Sequence, residues 1–113
     1  ARDLQKTDGQ WTRAKGFDTF CPIGPESPPP ADLKSLVVLT RVNGVERQRG
    51  TAGDMVFSIP DLLSYISGIM TLEPGDVVAT GTPAGVGKLA VGDVVEVEIP
   101  GFSKVSNPVT KTA

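Results

Sequence analysis

Three polar residues near the amino end, and one loop further on, are the places where this chain could do chemistry. Arg2 and Gln5 stand three residues apart, the spacing that puts two side chains on one face of a helical turn. Lys15 follows, between Arg13 and Asp18. Taken alone they read as ordinary surface groups, a solvated pair and a solvated lysine, because a lysine changes role only when buried or paired and sequence does not show burial.

The loop is Thr80-Gly81-Thr82-Pro83-Ala84-Gly85-Val86-Gly87. Its glycines let backbone N–H groups come close to a ligand, and such nests favour anions, carboxylates included. Thr82 adds a hydroxyl. The same residues also describe a plain irregular turn, since glycine is the default turn residue. Nucleotide motifs do not fit. Where a phosphate-binding P-loop needs a glycine ahead of Gly87-Lys88, this chain has Thr82, and Leu89 takes the place of the hydroxyl residue. The dinucleotide pattern lacks its third glycine and its following helix.

Other chemistry is bounded by what is missing. The chain has no histidine, which removes imidazole acid–base catalysis. Its one cysteine, Cys21, cannot close an intrachain disulfide. With no histidine and one cysteine, the chain lacks the usual ligand set of a zinc site. Asp3, Asp18 and Asp54 offer carboxylates, but not in a calcium-loop pattern, so no metal ligand is assigned. Trp11 and Tyr65 read as core or rim residues, and Glu96 and Glu98 as the wet side of a strand. A net charge of -2 with no basic stripe argues against nucleic acid. No apolar run approaches the roughly 20 residues that cross a bilayer as a helix.

The elements that must position these residues follow from composition and pattern. At 113 residues the chain holds one small domain, and with 5% aromatics its core must be Val, Ile, Leu and Ala. Thirteen glycines and ten prolines favour short strands and turns. Residues 1–20 read as a short helical turn and a loop. The prolines of 22–32 force a surface loop. Residues 36–42 read as a strand, and Asn43-Gly44 as a type I′ hairpin turn returning through 45–49. Gly50 to Asp54 is a turn region. Residues 59–70 are the main helix, with Leu62, Leu63, Ile66, Ile69 and Met70 on one face, Ser58 as cap and Pro60 in the first turn. Residues 77–80 read as a short buried strand entering the glycine loop. Val95, Val97 and Ile99 alternate with Val94, Glu96 and Glu98, a strand with one apolar and one acidic face. Residues 102–109 add another strand, weakened at Asn107-Pro108, and 110–113 a frayed tail.

Several blocks occur together in an order that resembles the fumarylacetoacetate hydrolase family. They are Ala1-Arg2-Asp3-Leu4-Gln5, Ala14-Lys15-Gly16-Phe17-Asp18, Val42-Asn43-Gly44, Met70-Thr71-Leu72-Glu73-Pro74-Gly75-Asp76 and the glycine loop. The resemblance covers nearly the whole chain and implies that residues 1–113 are the carboxy-terminal portion of a single catalytic domain. It implies a mostly β, α+β fold, part of a mixed β-sandwich roll with the 59–70 helix packed on the sheets, and a homodimer.

The resemblance further implies an enzyme acting on small 2-oxo acids or 1,3-dicarbonyls of the oxaloacetate or acylpyruvate type. The reaction would be hydrolysis or decarboxylation through a metal-bound enolate, or isomerisation of hydroxymuconate-type acids. Lys15 matches the family's catalytic lysine. Arg2, Gln5, Gly81 and Thr82 match its substrate-binding groups. The Mg²⁺ or Mn²⁺ of the family is held by two glutamates and an aspartate that would precede Ala1, so no ligand is matched in this chain. A non-catalytic binding domain on the same scaffold is the alternative. The implied compartment is the cytoplasm or the mitochondrial matrix. The first residue is Ala rather than Met, so the sequence does not show whether a targeting segment exists.

Overall fold

The computed structural model describes residues 1–111. Two short helices open the chain, α1 (Arg2–Thr7) and α2 (Thr12–Lys15). Four strands follow, β1 (Val37–Val42), β2 (Val45–Thr51), β3 (Val94–Ile99) and β4 (Ser103–Pro108), with helix α3 (Ile59–Ser67) between β2 and β3. The strands form one antiparallel sheet in the order β2-β1-β3-β4. This is the α+β class that the resemblance implies, and its strands and single main helix are those that the residue pattern leads one to expect.

Local chemistry explains most boundaries. Asn43 and Gly44 both take positive φ, 52° and 79°, as a type I′ turn requires, so β1 returns directly as β2. A reciprocal capping box starts α3: the Asp61 N–H donates to the Ser58 hydroxyl oxygen, and the Ser58 N–H donates to the Asp61 carboxylate. The helix stops at Ser67 rather than running to residue 70. Past Gly68, both Ile69 and Met70 turn their N–H groups to the Ile66 carbonyl and close the helix in a turn. Pro108 ends β4, which is an edge strand and tolerates a missing donor.

Register divides the side chains between two faces, because residues directly opposite on neighbouring strands point the same way. Arg41, Glu96 and Glu98 share one face with Lys104. There the Arg41 guanidinium reaches Glu96 at 2.8 Å and Glu98 at 2.6 Å, and Lys104 reaches Glu96 at 2.6 Å. The wet side of β3 is therefore a half-buried ion ladder rather than free acids. The opposite face carries Val42, Val95, Val97, Ile99 and Val105.

Residues 77–80 do not form the expected strand. They join none of the four strands, and Val77 is 65% exposed. Val77 instead lines a groove of about 350 Å³ together with Cys21, Ile23, Val95, Val97, Ile99 and Val105. An apolar run of four has the composition of a strand, but a strand needs a ladder partner, and these residues have none. A second departure is α2, where a loop was expected. Helix α3 buries none of its residues fully, and Leu63, Ile69 and Met70 stay exposed, so the packing on sheets that the resemblance implies is not completed here. Of the tail, residues 110 and 111 lie outside every helix and strand, and 112–113 lie outside the described residues.

Candidate substrate-binding site

Arg2 and Gln5 fall one turn apart on α1, and the Arg2 guanidinium donates to the Gln5 side-chain oxygen at 3.4 Å. Arg2 is exposed and Gln5 half-buried. Lys15 is the last residue of α2 and is exposed. The two helices pack on each other and are clamped by a bidentate pair. Arg13 on α2 donates through Nε at 2.9 Å and through its terminal nitrogen at 2.7 Å to the carboxylate of Asp8, which caps α1. That guanidinium holds the Asp8 carboxyl below the usual carboxylate range. Among the described residues no hydrogen bond or ion pair links Lys15 to Arg2, Gln5 or Thr82. The clamp, not a direct contact, relates Lys15 to the α1 pair.

The glycine loop is built onto β2. Between Thr40 and Arg41 the β1–β2 register slips by one, so Glu46 pairs with Arg41, Gln48 pairs with Thr40, and Arg47 is the extra residue of a β-bulge. The bulge puts Gln48 and Gly50 on the apolar face beside Val42. The Gln48 side-chain amide donates to the Thr82 hydroxyl oxygen at 2.8 Å and to the Pro83 carbonyl at 2.9 Å. Gly50 leaves room for the Pro83 ring, which would lie 2.9 Å from a Cβ at that position. Gly85, at φ 100°, sits against the carbonyl of the bulged Arg47, where no side chain fits. Gly81, at φ 112°, and Thr82 are exposed beside this anchored stretch.

Gln48 was not foreseen from the sequence. Strict alternation from Val45 puts Arg47 and Arg49 on the face where Gln48 and Gly50 in fact lie, and the bulge that reverses the phase has no local sequence mark. The one available signal was Gly50, a strand glycine, which often marks a close backbone approach.

A divalent-cation site is not assembled from this chain's acids. Among the described residues no three His, Cys, Asp or Glu side chains gather, and Asp54 accepts a hydrogen bond from the Thr51 hydroxyl at 2.8 Å.

A bulged antiparallel sheet that anchors a glycine loop on one face, with a clamped helix pair before it, is an α+β scaffold for presenting polar side chains. The chain belongs to the fumarylacetoacetate hydrolase family: the model described as fumarylacetoacetate (FAA) hydrolase C-terminal matches residues 1–110. The oxaloacetate tautomerase of Bacillus subtilis is 45% identical over 119 residues, covering 96% of this chain and 40% of that protein. The mitochondrial oxaloacetate tautomerase of Arabidopsis thaliana is 47% identical over 111 residues, covering 93% and 50%. The crystal structure of 5-carboxymethyl-2-hydroxymuconate delta-isomerase from Mycobacterium smegmatis superposes with a TM-score of 0.93 at 45% identity, covering 100% of this chain and 45% of that one. Maleylpyruvate hydrolase from Sphingobium, in complex with manganese(II) and pyruvate, superposes with a TM-score of 0.83 at 35% identity, covering 93% and 40%. The chain thus spans about half or less of the length of these relatives.

Proposed function

We propose that this chain supplies the substrate-binding wall of an enzyme acting on small 2-oxo acids or 1,3-dicarbonyls of the oxaloacetate or acylpyruvate type, as a decarboxylase or hydrolase. The observation that carries this reading is the glycine loop. An exposed hydroxyl at Thr82, next to a positive-φ glycine, is held against β2 by Gln48, Gly50 and Gly85. A loop of that kind orients a carboxylate and lowers the entropy cost of bringing the substrate to the reacting groups. Lys15 places a positive charge where oxyanion character develops, and the Arg2–Gln5 pair holds a second polar end of the substrate.

The names of two relatives favour a second reading, interconversion of the keto and enol forms of oxaloacetate, which calls on the same wall. Mg²⁺ or Mn²⁺ belongs to both readings, with its ligands outside this chain. A homodimer also belongs to this reading, and the exposed Tyr65, Ile69 and Met70 offer apolar area for such contacts. The compartment would be cytoplasm or mitochondrial matrix. No helix among the described residues is long and apolar enough to cross a membrane.

The test is a set of assays on the complete protein with the cation added. Pyruvate formed from oxaloacetate supports decarboxylation, and cleavage of an acylpyruvate supports hydrolysis. Faster loss of the enol absorbance without pyruvate supports the tautomerase. No acceleration with any of these acids overturns the proposal.

A further inference from the structure

We infer that Gln48 is a positioning residue that sets the direction of the Thr82 hydrogen bond and so makes the loop a donor toward an anionic ligand. The inference rests on the reading of Thr82 as a group that meets a substrate carboxylate. A carboxamide has two ends of similar shape and opposite hydrogen-bonding character. Here the Pro83 carbonyl decides which end is which. It can only accept, so the Gln48 atom 2.9 Å from it is the NH₂ nitrogen. That nitrogen has two hydrogens and two partners. One hydrogen goes to the Pro83 carbonyl and the other to the Thr82 oxygen at 2.8 Å.

The Thr82 hydroxyl is therefore an acceptor on its inner side, and its own proton is left for the exposed side. This direction matters because a carboxylate offers only lone pairs. A hydroxyl whose proton was drawn inward would present oxygen to oxygen. The Gln48 end of the bond is half-buried and rests on β2, with the Arg47 bulge, Gly50 and Gly85 fixing the loop against the strand. The polarity of the loop is thus set from a strand that never meets the ligand.

The experiment compares Gln48→Glu, Gln48→Leu, Thr82→Val and the Gln48→Leu/Thr82→Val double variant in the complete protein. It reads KM and kcat with oxaloacetate, calorimetric affinity for oxalate, an unreactive dicarboxylate, and melting temperature. Gln48→Glu keeps size but offers acceptors only, so it draws the Thr82 proton inward. The expected result is a KM and an oxalate Kd raised about tenfold or more, with kcat within about threefold; the melting temperature falls as well, because the introduced carboxylate also faces the Pro83 carbonyl, so the split between KM and kcat carries the test. The double variant binds no worse than Thr82→Val alone.

A Gln48→Glu protein with wild-type KM and oxalate affinity overturns the inference, as does an additive double variant. So does a pattern in which both Gln48 variants lower kcat and melting temperature together, which marks mere support of the loop. If Gln48→Leu fails to fold, the isosteric Gln48→Glu decides alone. Unchanged binding in Thr82→Val, or a wild type that binds neither acid, removes the carboxylate reading of Thr82 itself and the inference with it. A raised KM in Thr82→Val beside a normal Gln48→Glu removes the inference only.

Discussion

Asn43 and Asp93 hold two turns together from opposite ends of the sheet's sequence. The Asn43 amide donates to the Asp93 carboxylate at 2.8 Å, and the Asn43 side-chain oxygen accepts from the Val94 N–H at 2.9 Å. Asp93 also accepts from the Ala90 N–H at 2.8 Å, within its own turn. The residue that makes the β1–β2 hairpin turn is thus the one that registers β1 against β3.

Asn43 therefore combines two demands, a left-handed φ of 52° and a side chain with both donor and acceptor. Asn43→Gly meets the first and loses the second, while Asn43→Ala loses both. The left-handed conformation costs alanine about 1–2 kcal/mol more than glycine. In a thermal melt of the complete protein, Asn43→Ala falls below Asn43→Gly, and both fall below the wild type. Equal melting temperatures for Gly and the wild type would remove the side-chain half of this account.

The ion ladder on β3 gives the fold a definite acid response. The Lys104 ammonium, with the Arg41 guanidinium, holds the Glu96 carboxyl below its ordinary 4.5. The Arg49 guanidinium lowers Glu46 in the same way, and the Ala90 N–H, with Asn43, lowers Asp93. A depressed carboxyl binds its proton more weakly when folded than when unfolded. Its stabilisation is complete above about pH 4.5 and is lost as pH falls through the folded value. Urea melts across this window should show stability declining with acid. Glu96→Gln is less stable at neutral pH and declines less steeply, and a wild-type slope in that variant would refute the assignment.

Gly85 and Gly87 look equivalent in the sequence and are not equivalent in the fold. A Cβ at Gly85 meets the Arg47 carbonyl and sits on a backbone at φ 100°, whereas nothing lies within 4 Å of a Cβ at Gly87. Gly85→Ala should lift the loop off β2 at a cost of about 1–3 kcal/mol and raise KM for the proposed carboxylate substrate. Gly87→Ala stays within about 0.5 kcal/mol of the wild type. Melting curves and KM values for the pair check this, and two variants of equal effect would contradict it.

What could be read in the sequence was what local chemistry decides. The Asn43-Gly44 turn, the Ser58 cap and the alternation of Val95, Val97 and Ile99 each depend on residues within a few positions, and each appears as expected. The pairing of Arg2 with Gln5 is of the same kind. What was hidden is non-local. The bulge at Arg47 depends on how β1 and β2 register over their length, so the face of Gln48 could not be counted from the turn. Residues 77–80 were misjudged for the same reason, because composition describes a strand while only a partner makes one. The Arg13–Asp8 clamp between α1 and α2 was likewise invisible, since it needed the unforeseen second helix.

Lys15 is the residue on which the proposed chemistry most depends, and its place in the fold makes the test clean. It ends α2, is exposed, and has no ion-pair partner among the described residues, so removing its ammonium breaks no contact that holds the sheet. Ala14 beside it is the buried residue of that helix, and it stays in place. Lys15→Ala in the complete protein should keep the wild-type melting temperature while kcat drops by about 100-fold or more, the scale for loss of one group that stabilises developing negative charge. Lys15→Arg keeps the charge but spreads it over a planar fork and should recover only part of the rate. Circular dichroism melts beside steady-state assays separate the two effects. Wild-type kcat in Lys15→Ala would take the lysine out of the mechanism, and a parallel fall in melting temperature would make its role structural.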